Sequence, residues 1–148
     1  AWRQRIRWRD FILYVVAVAG TSGLTLFFKY VVGRPRQQIV PSLDKAPFQS
    51  FPSGHTVFAL VIYGYLAHLI LSRIESPPRW LAWLLYGGAV FIAAIVGVSR
   101  VYLAAHYPTD VIAGVLIGVP WLLAVVALHN QSLLRDEEKR AVAANIAR

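Results

Sequence analysis

The sequence predicts an all-α fold, a polytopic transmembrane bundle of four spans forming one domain over residues 1–148. Three observations predict it. Four almost uninterrupted apolar runs account for a hydrophobic share of 57% against only 15% charged residues, where a soluble domain of this size would alternate more. The residues with reactive side chains gather at the ends of those runs. The basic residues, finally, divide unequally between the two faces that an up-and-down chain presents.

The first run extends from Phe11 to about Val32, the second from Thr56 to Leu71, the third from Trp80 to Val98 and the fourth from Val111 to Leu128. Runs of roughly 16 to 22 residues reach about 24 to 33 Å at helical rise, close to the hydrocarbon thickness of a bilayer. The second is the shortest and needs its neighbours. A cleavable signal peptide would place one apolar stretch and a small-residue cleavage site before a polar chain, a pattern absent here, so the first run reads as a span. The lack of any methionine suggests that the sequence begins inside a longer gene product. Without cysteine there is no disulfide and no thiolate metal site. A net charge of +8 would suit a nucleic-acid binder, but its distribution points to membrane lipids and to no nucleic acid.

One face receives Arg3, Arg5, Arg7, Arg9, Arg73, Arg79, Arg135, Lys139, Arg140 and Arg148; the other receives Lys29, Arg34, Arg36, Lys45 and Arg100. The positive-inside rule then puts both termini and the short loop between Arg73 and Arg79 in the cytoplasm, and the 33–54 loop outside, as in a multi-pass protein of the cell (inner) membrane. Trp2, Trp8, Trp80 and Trp83 read as an aromatic belt. The pairs Gly114/Gly118 and Ala93/Gly97 predict close helix packing within the bundle, and Pro120 predicts a kink or local break in the fourth span.

In this arrangement the end of span one, the start of span two, the end of span three and the start of span four share one face. Lys29, Arg34 and Arg36 close the first span, Pro52-Ser53-Gly54-His55 opens the second, Ser99-Arg100 closes the third, and His106 with Asp110 opens the fourth. So many ionisable groups at one membrane edge are costly without a function. The set suits a phosphate: helix N-termini offer free N–H groups and a positive dipole end, Ser53 stands as an N-cap, and Gly54 admits close backbone approach. Arginine adds paired hydrogen bonds and lysine a point charge. Two histidines and one aspartate among cations would repel a divalent ion, so neither metal nor other cofactor is expected. With Pro108 suited to a first helical turn, Asp110 can reach back to His106 and fix its tautomer, an orienter beside a nucleophile. His55 comes from another segment and can protonate a leaving oxygen. His68, His129, Arg73, Arg79 and the stretch from Arg135 to Arg140 read as interfacial or solvated residues toward the cytoplasmic side, and Asp44 and Lys45 as loop surface.

These residues resemble the type 2 phosphatidic acid phosphatase and haloperoxidase superfamily, in its membrane lipid phosphatase branch. The family signature has three parts. A lysine, six residues and Arg-Pro come first; here Lys29 precedes Arg36 at that distance, but Gln37 replaces the proline, while Arg34, followed by Pro35, lies too near Lys29 to fit. Pro-Ser-Gly-His follows unchanged as Pro52 to His55, and Ser-Arg, five residues, His, three residues, Asp follows unchanged as Ser99, Arg100, His106 and Asp110. The resemblance implies His106 as nucleophile, Asp110 as its orienter, His55 as general acid, and Lys29, Arg36, Ser53, Gly54 and Arg100 as holders of the phosphoryl group. It further implies that the four spans correspond to the last four of a six-span family fold, with the site at their extracytoplasmic ends. The expected activity is metal-independent hydrolysis of a lipid phosphate monoester or pyrophosphate through a phosphohistidine. Transfer of the phosphoryl group to another lipid by the same residues is the enzymatic alternative. A non-enzymatic binder or carrier of anionic lipids would explain the cations but leave the histidines without a purpose.

The charge asymmetry makes the orientation testable. A cysteine introduced between residues 38 and 50 should label with an impermeant thiol reagent added to intact cells, and Glu75→Cys should not; the reverse pattern contradicts the assignment.

Overall fold

The computed structural model describes residues 8–36 and 49–146, and the expectations attached to Trp2, Arg3, Arg5, Arg7, Gln37, Asp44, Lys45 and Arg148 lie outside them. Four helices follow one another: α1 (Trp8–Val32), α2 (Gly54–Ser72), α3 (Arg79–Tyr102) and α4 (Pro108–Ile146). All four are long and apolar enough to cross a membrane.

Each boundary has a local cause. Gly33 takes a left-handed φ of 61° and returns its N–H to the Lys29 carbonyl at 3.0 Å, stopping α1. Ser53 is the N-cap of α2 by position. Its carbonyl accepts the Thr56 and Val57 amides at 3.1 and 3.2 Å. Its hydroxyl, contrary to the usual capping pattern, makes no bond to the helix backbone and instead accepts from Thr56 Oγ1 at 3.0 Å. Pro78 precedes α3 as its N-cap. Ala104, with φ of 54°, turns the chain after α3, where a left-handed alanine is conformationally costly. Pro108 begins α4, the position in which a missing N–H is harmless.

The first three helices lie close to the apolar runs that predict them. The fourth does not: it continues for 18 residues past Leu128, to Ile146, making 39 residues or about 58 Å. The extension, rich in Leu, Arg, Glu, Lys and Ala and free of Gly and Pro, has strong intrinsic helix propensity, which a hydropathy criterion does not see. The helix also runs through Pro120 without a break, as membrane helices can when surrounding groups compensate the lost bond.

Packing centres on α2, half of whose apolar window is buried, against 17% for each of the other helices. This explains how the shortest span is held. Val57, Val61 and Tyr65 form a core with Ala17 of α1 and Val125 of α4, and Ala59 and Leu60 meet Ala93 of α3. Small residues let the backbones close. A Cβ on Gly97 would stand 2.6 Å from Val111 Cγ1, one on Gly118 3.0 Å from Leu60 Cδ2, and one on Gly114 3.1 Å from the Ser53 carbonyl oxygen. The small pairs therefore pack helices inside the bundle, as the sequence predicts.

At the end remote from the signature residues, Asp10 of α1 is 4% exposed and pairs with Arg73 at the close of α2. His129 Nε2 of α4 lies 3.3 Å from Asp10 Oδ1, and Arg9 pairs with Asp136. Arg73 and His129 are thus corrected from interfacial groups to members of a buried clasp that ties three helices. Sequence spacing carried no sign of it because every partner comes from a different helix. Trp8, Trp80 and Trp83 lie exposed on this same end of the bundle, as a belt requires.

The α2–α4 approach generates a prediction. Gly114→Val should destabilise the purified protein by about 1–3 kcal/mol through overpacking, read as a lowered melting temperature in detergent. Gly87→Val, with nothing within 4 Å of the added Cβ, should not.

Candidate active site

The site is built on the junction of two helix N-termini. Ser53, ahead of α2, donates its amide to the Asp110 carbonyl of α4 at 3.0 Å. That bond joins the Pro-Ser-Gly-His segment to the first turn of α4. Gly54 completes the junction on the other side, since a Cβ there would come 3.2 Å from Thr25 Cγ2 of α1. Its missing side chain makes room for a neighbouring helix, a use beyond the ligand approach expected of it.

His106 reaches the junction from the α3–α4 turn, where the Arg100 carbonyl accepts the Ala105 amide at 3.0 Å and the His106 amide at 3.2 Å. The residue at the end of α3 that carries a cation thereby also shapes the turn carrying the imidazole. Asp110 then uses its two oxygens separately. Oδ2 accepts the Tyr107 amide at 3.0 Å, the reciprocal half of a capping box, and lies 3.5 Å from His106 Nδ1. At this distance the pair is an electrostatic contact, and Nδ1 has no hydrogen-bond partner among the described residues. Such bonds are often long in an empty site and tighten with substrate. Oδ1 accepts from Arg34 at 2.8 Å. His106 is 2% exposed and Asp110 fully buried, whereas His55 is exposed on the first turn of α2.

The cations close around both imidazoles. Burial is the first cause holding His106 below its ordinary value; the nearby charges of Arg36 and Lys29 push the same way, opposed by Asp110 and by the Ser50 backbone. Arg100, Arg36 and Lys29 also act electrostatically on His55. Lys29 Nζ donates to the Gln49 carbonyl, Arg36 to the Ala105 carbonyl at 3.4 Å, and Arg100 Nε to Ser99 Oγ at 3.3 Å. The eight residues singled out from the sequence therefore assemble at one end of the bundle. One further neighbour, Ser50, was not legible there: it is fully buried and bonded through its amide to the Arg34 carbonyl at 2.9 Å. Arg34, grouped with the cluster by its place at the end of span one but set aside from the signature on spacing, makes an ion pair with Asp110.

Residues 10–133 match the family model of the PAP2 superfamily. The chain is 33% identical over 130 residues to phosphatidylglycerophosphatase B of Bacillus subtilis, an alignment covering 86% of this chain and 62% of that protein. It is 38% identical over 95 residues to an undecaprenyl-diphosphatase of Sulfolobus acidocaldarius, covering 61% and 41% of the two chains. With a lipid A 1-phosphatase of Rhizobium etli it shares 31% over 127 residues, covering 78% and 48%. The chain thus spans between 41% and 62% of the length of these three relatives. Its fold superposes on the crystal structure of a transmembrane PAP2-type phosphatidylglycerolphosphate phosphatase from Bacillus subtilis with a TM-score of 0.73 at 29% identity, over 82% of this chain and 60% of that one. The four membrane-length helices, the convergent signature residues and the matched family model together place this chain in the PAP2 superfamily, as a multi-pass membrane protein.

Proposed function

We propose that this protein hydrolyses a lipid phosphate monoester or pyrophosphate at the outer face of the cell membrane, through a phosphohistidine on His106. The observation that carries the reading is the meeting, at one end of the bundle, of a buried His106–Asp110 pair with an exposed His55, the charges of Lys29 and Arg36 acting on both imidazoles and that of Arg100 on His55. With Nδ1 turned toward Asp110, Nε2 is the nitrogen that attacks phosphorus. His55 protonates the departing oxygen, then takes a proton from the water that attacks the phosphohistidine, returning phosphate and a neutral His106. The cations, with the amides at the start of α2, stabilise charge on the equatorial oxygens. Tyr30, Tyr102 and Leu103 lie exposed at the same helix ends. They favour a substrate whose tail stays in the bilayer while its phosphate enters the polar site. The named activities of the three relatives described above, on lipid phosphates or diphosphates, support the same class.

The two histidines are separable by leaving group. His106→Ala should abolish turnover of every substrate. His55→Ala should cost about 10²- to 10⁴-fold on an alkyl lipid phosphate, whose alkoxide needs a proton, and far less in the first step on p-nitrophenyl phosphate, whose phenolate does not. Equal losses on both substrates contradict the acid role.

Because cations supply the charge, activity should survive EDTA and fall with vanadate, which imitates five-coordinate phosphorus; loss on chelation with recovery in magnesium contradicts the mechanism. The pH profile follows from the neutral imidazole being the reactive form. With His106 held below the ordinary histidine value of about 6.5, the neutral ring persists through neutral pH, and the acid limb of kcat/KM attributable to it should fall below that value. Arg36→Ala removes a charge that opposes protonation and should move this limb upward.

A further inference from the structure

Arg34 lies two residues short of the position that the family signature assigns to its phosphate-binding arginine, and its side chain turns away from that task. Its Nη1 donates to Asp110 Oδ1 at 2.8 Å and to Thr109 Oγ1 at 2.7 Å, both on the first turn of α4. The guanidinium carbon stands 5.2 Å from the centre of the Tyr107 ring and 5.7 Å from that of Phe51, one ring from the α4 entry and one from the α2 entry. The backbone of the same residue holds another neighbour of the imidazole: its carbonyl accepts the Ser50 amide at 2.9 Å, and the Ser50 backbone acts electrostatically on His106.

We propose that Arg34 is a positioning residue for His106, acting through Asp110 as the outer member of an Arg34–Asp110–His106 relay. The proposal rests on the function proposed above. A carboxylate beside an imidazole can rotate, so that either oxygen faces the ring, or it can turn away toward solvent. Here both rotations are blocked, because Oδ1 is committed to Arg34 and Oδ2 to the Tyr107 amide, which leaves Oδ2 alone facing Nδ1. Asp110, fully buried and ion-paired with Arg34, faces the ring that becomes cationic when His106 is phosphorylated. At 38% side-chain exposure, Arg34 reaches the carboxylate from the rim of the site while the aromatic faces of Phe51 and Tyr107 fix its plane. Phosphate binding by Lys29, Arg36 and Arg100 does not need it.

The test is a double-mutant cycle between Arg34→Ala and Asp110→Asn, read as kcat on p-nitrophenyl phosphate together with the inhibition constant of inorganic phosphate. On the wild-type background Arg34→Ala should lower kcat about 10- to 100-fold, by analogy with the loss on removing an outer hydrogen-bond partner behind a metal-bound histidine. The phosphate constant should change by less than about twofold. On the Asp110→Asn background the same substitution should cost less than about twofold, because the carboxylate through which Arg34 acts is gone. Arg34→Lys keeps the charge and should recover part of the loss; if Arg34→Ala does not fold, Arg34→Lys carries the cycle with the same expected non-additivity. Equal losses on both backgrounds, an unchanged kcat, or a phosphate constant that rises in step with the fall in kcat would each overturn the proposal, the last by making Arg34 a phosphate ligand. Turnover surviving in His106→Ala would remove the proposed function itself, and the relay with it. Additive losses in an enzyme that His106→Ala does silence would remove the relay alone.

Discussion

The hydrogen bond from the Ser53 amide to the Asp110 carbonyl is the constraint on which the site depends. Two helices that start at the same membrane edge ordinarily keep their first turns apart, since each presents unpaired N–H groups and the positive end of its dipole. Here one of those amides is satisfied by the other helix, and Gly114, one turn further along α4, lets the Ser53 carbonyl come closer than a side chain would allow. The two positive helix ends are thereby held side by side. An anion placed between them would answer both and relieve their repulsion.

Around this junction the cations act at two levels. Lys29 and Arg36 act electrostatically on both histidines and Arg100 on His55, which is the charge that the proposed phosphoryl site calls on. Arg34 is turned instead onto the carboxylate. The division gives the basic residues at this end of the bundle two different partners. The far end of the bundle has the opposite design. Arg73 and Asp10 form an ion pair below the surface, with His129 Nε2 3.3 Å from the same carboxylate, so the same residue types there hold helices together. A buried ion pair of this kind is weak evidence for net stability, but removal of one partner leaves the other uncompensated.

Much of this was legible in the sequence, for reasons that differ by element. The apolar runs at α1, α2 and α3 reported their helices because hydropathy and membrane thickness are directly linked. The end of α4 was not legible that way, because outside the bilayer helix propensity, not hydropathy, sets its length. His55, His106, Asp110 and the three cradle cations could be grouped from chain direction alone, since alternation puts them at one end. Arg34 could not be assigned, because a spacing rule describes which position usually meets phosphate and says nothing of an arginine that meets a carboxylate instead. Ser50 offered no signal at all; its part depends on a backbone bond to Arg34 that only the folded chain forms. The Asp10 clasp likewise depends on helix–helix register, which one sequence does not encode visibly.

The central claim is that His106 is the atom-bearing group to which phosphorus is transferred. The most direct measurement is rapid quench of His55→Ala protein mixed with p-nitrophenyl phosphate, followed by alkaline digestion conditions that spare phosphohistidine and by mass spectrometry of the peptide containing residues 101–110. The account predicts an acid-labile, alkali-stable phosphoryl group on His106, accumulating because its hydrolysis lacks a base. A phosphoryl group on any other side chain, or release of p-nitrophenol with no covalent intermediate under these conditions, would contradict it.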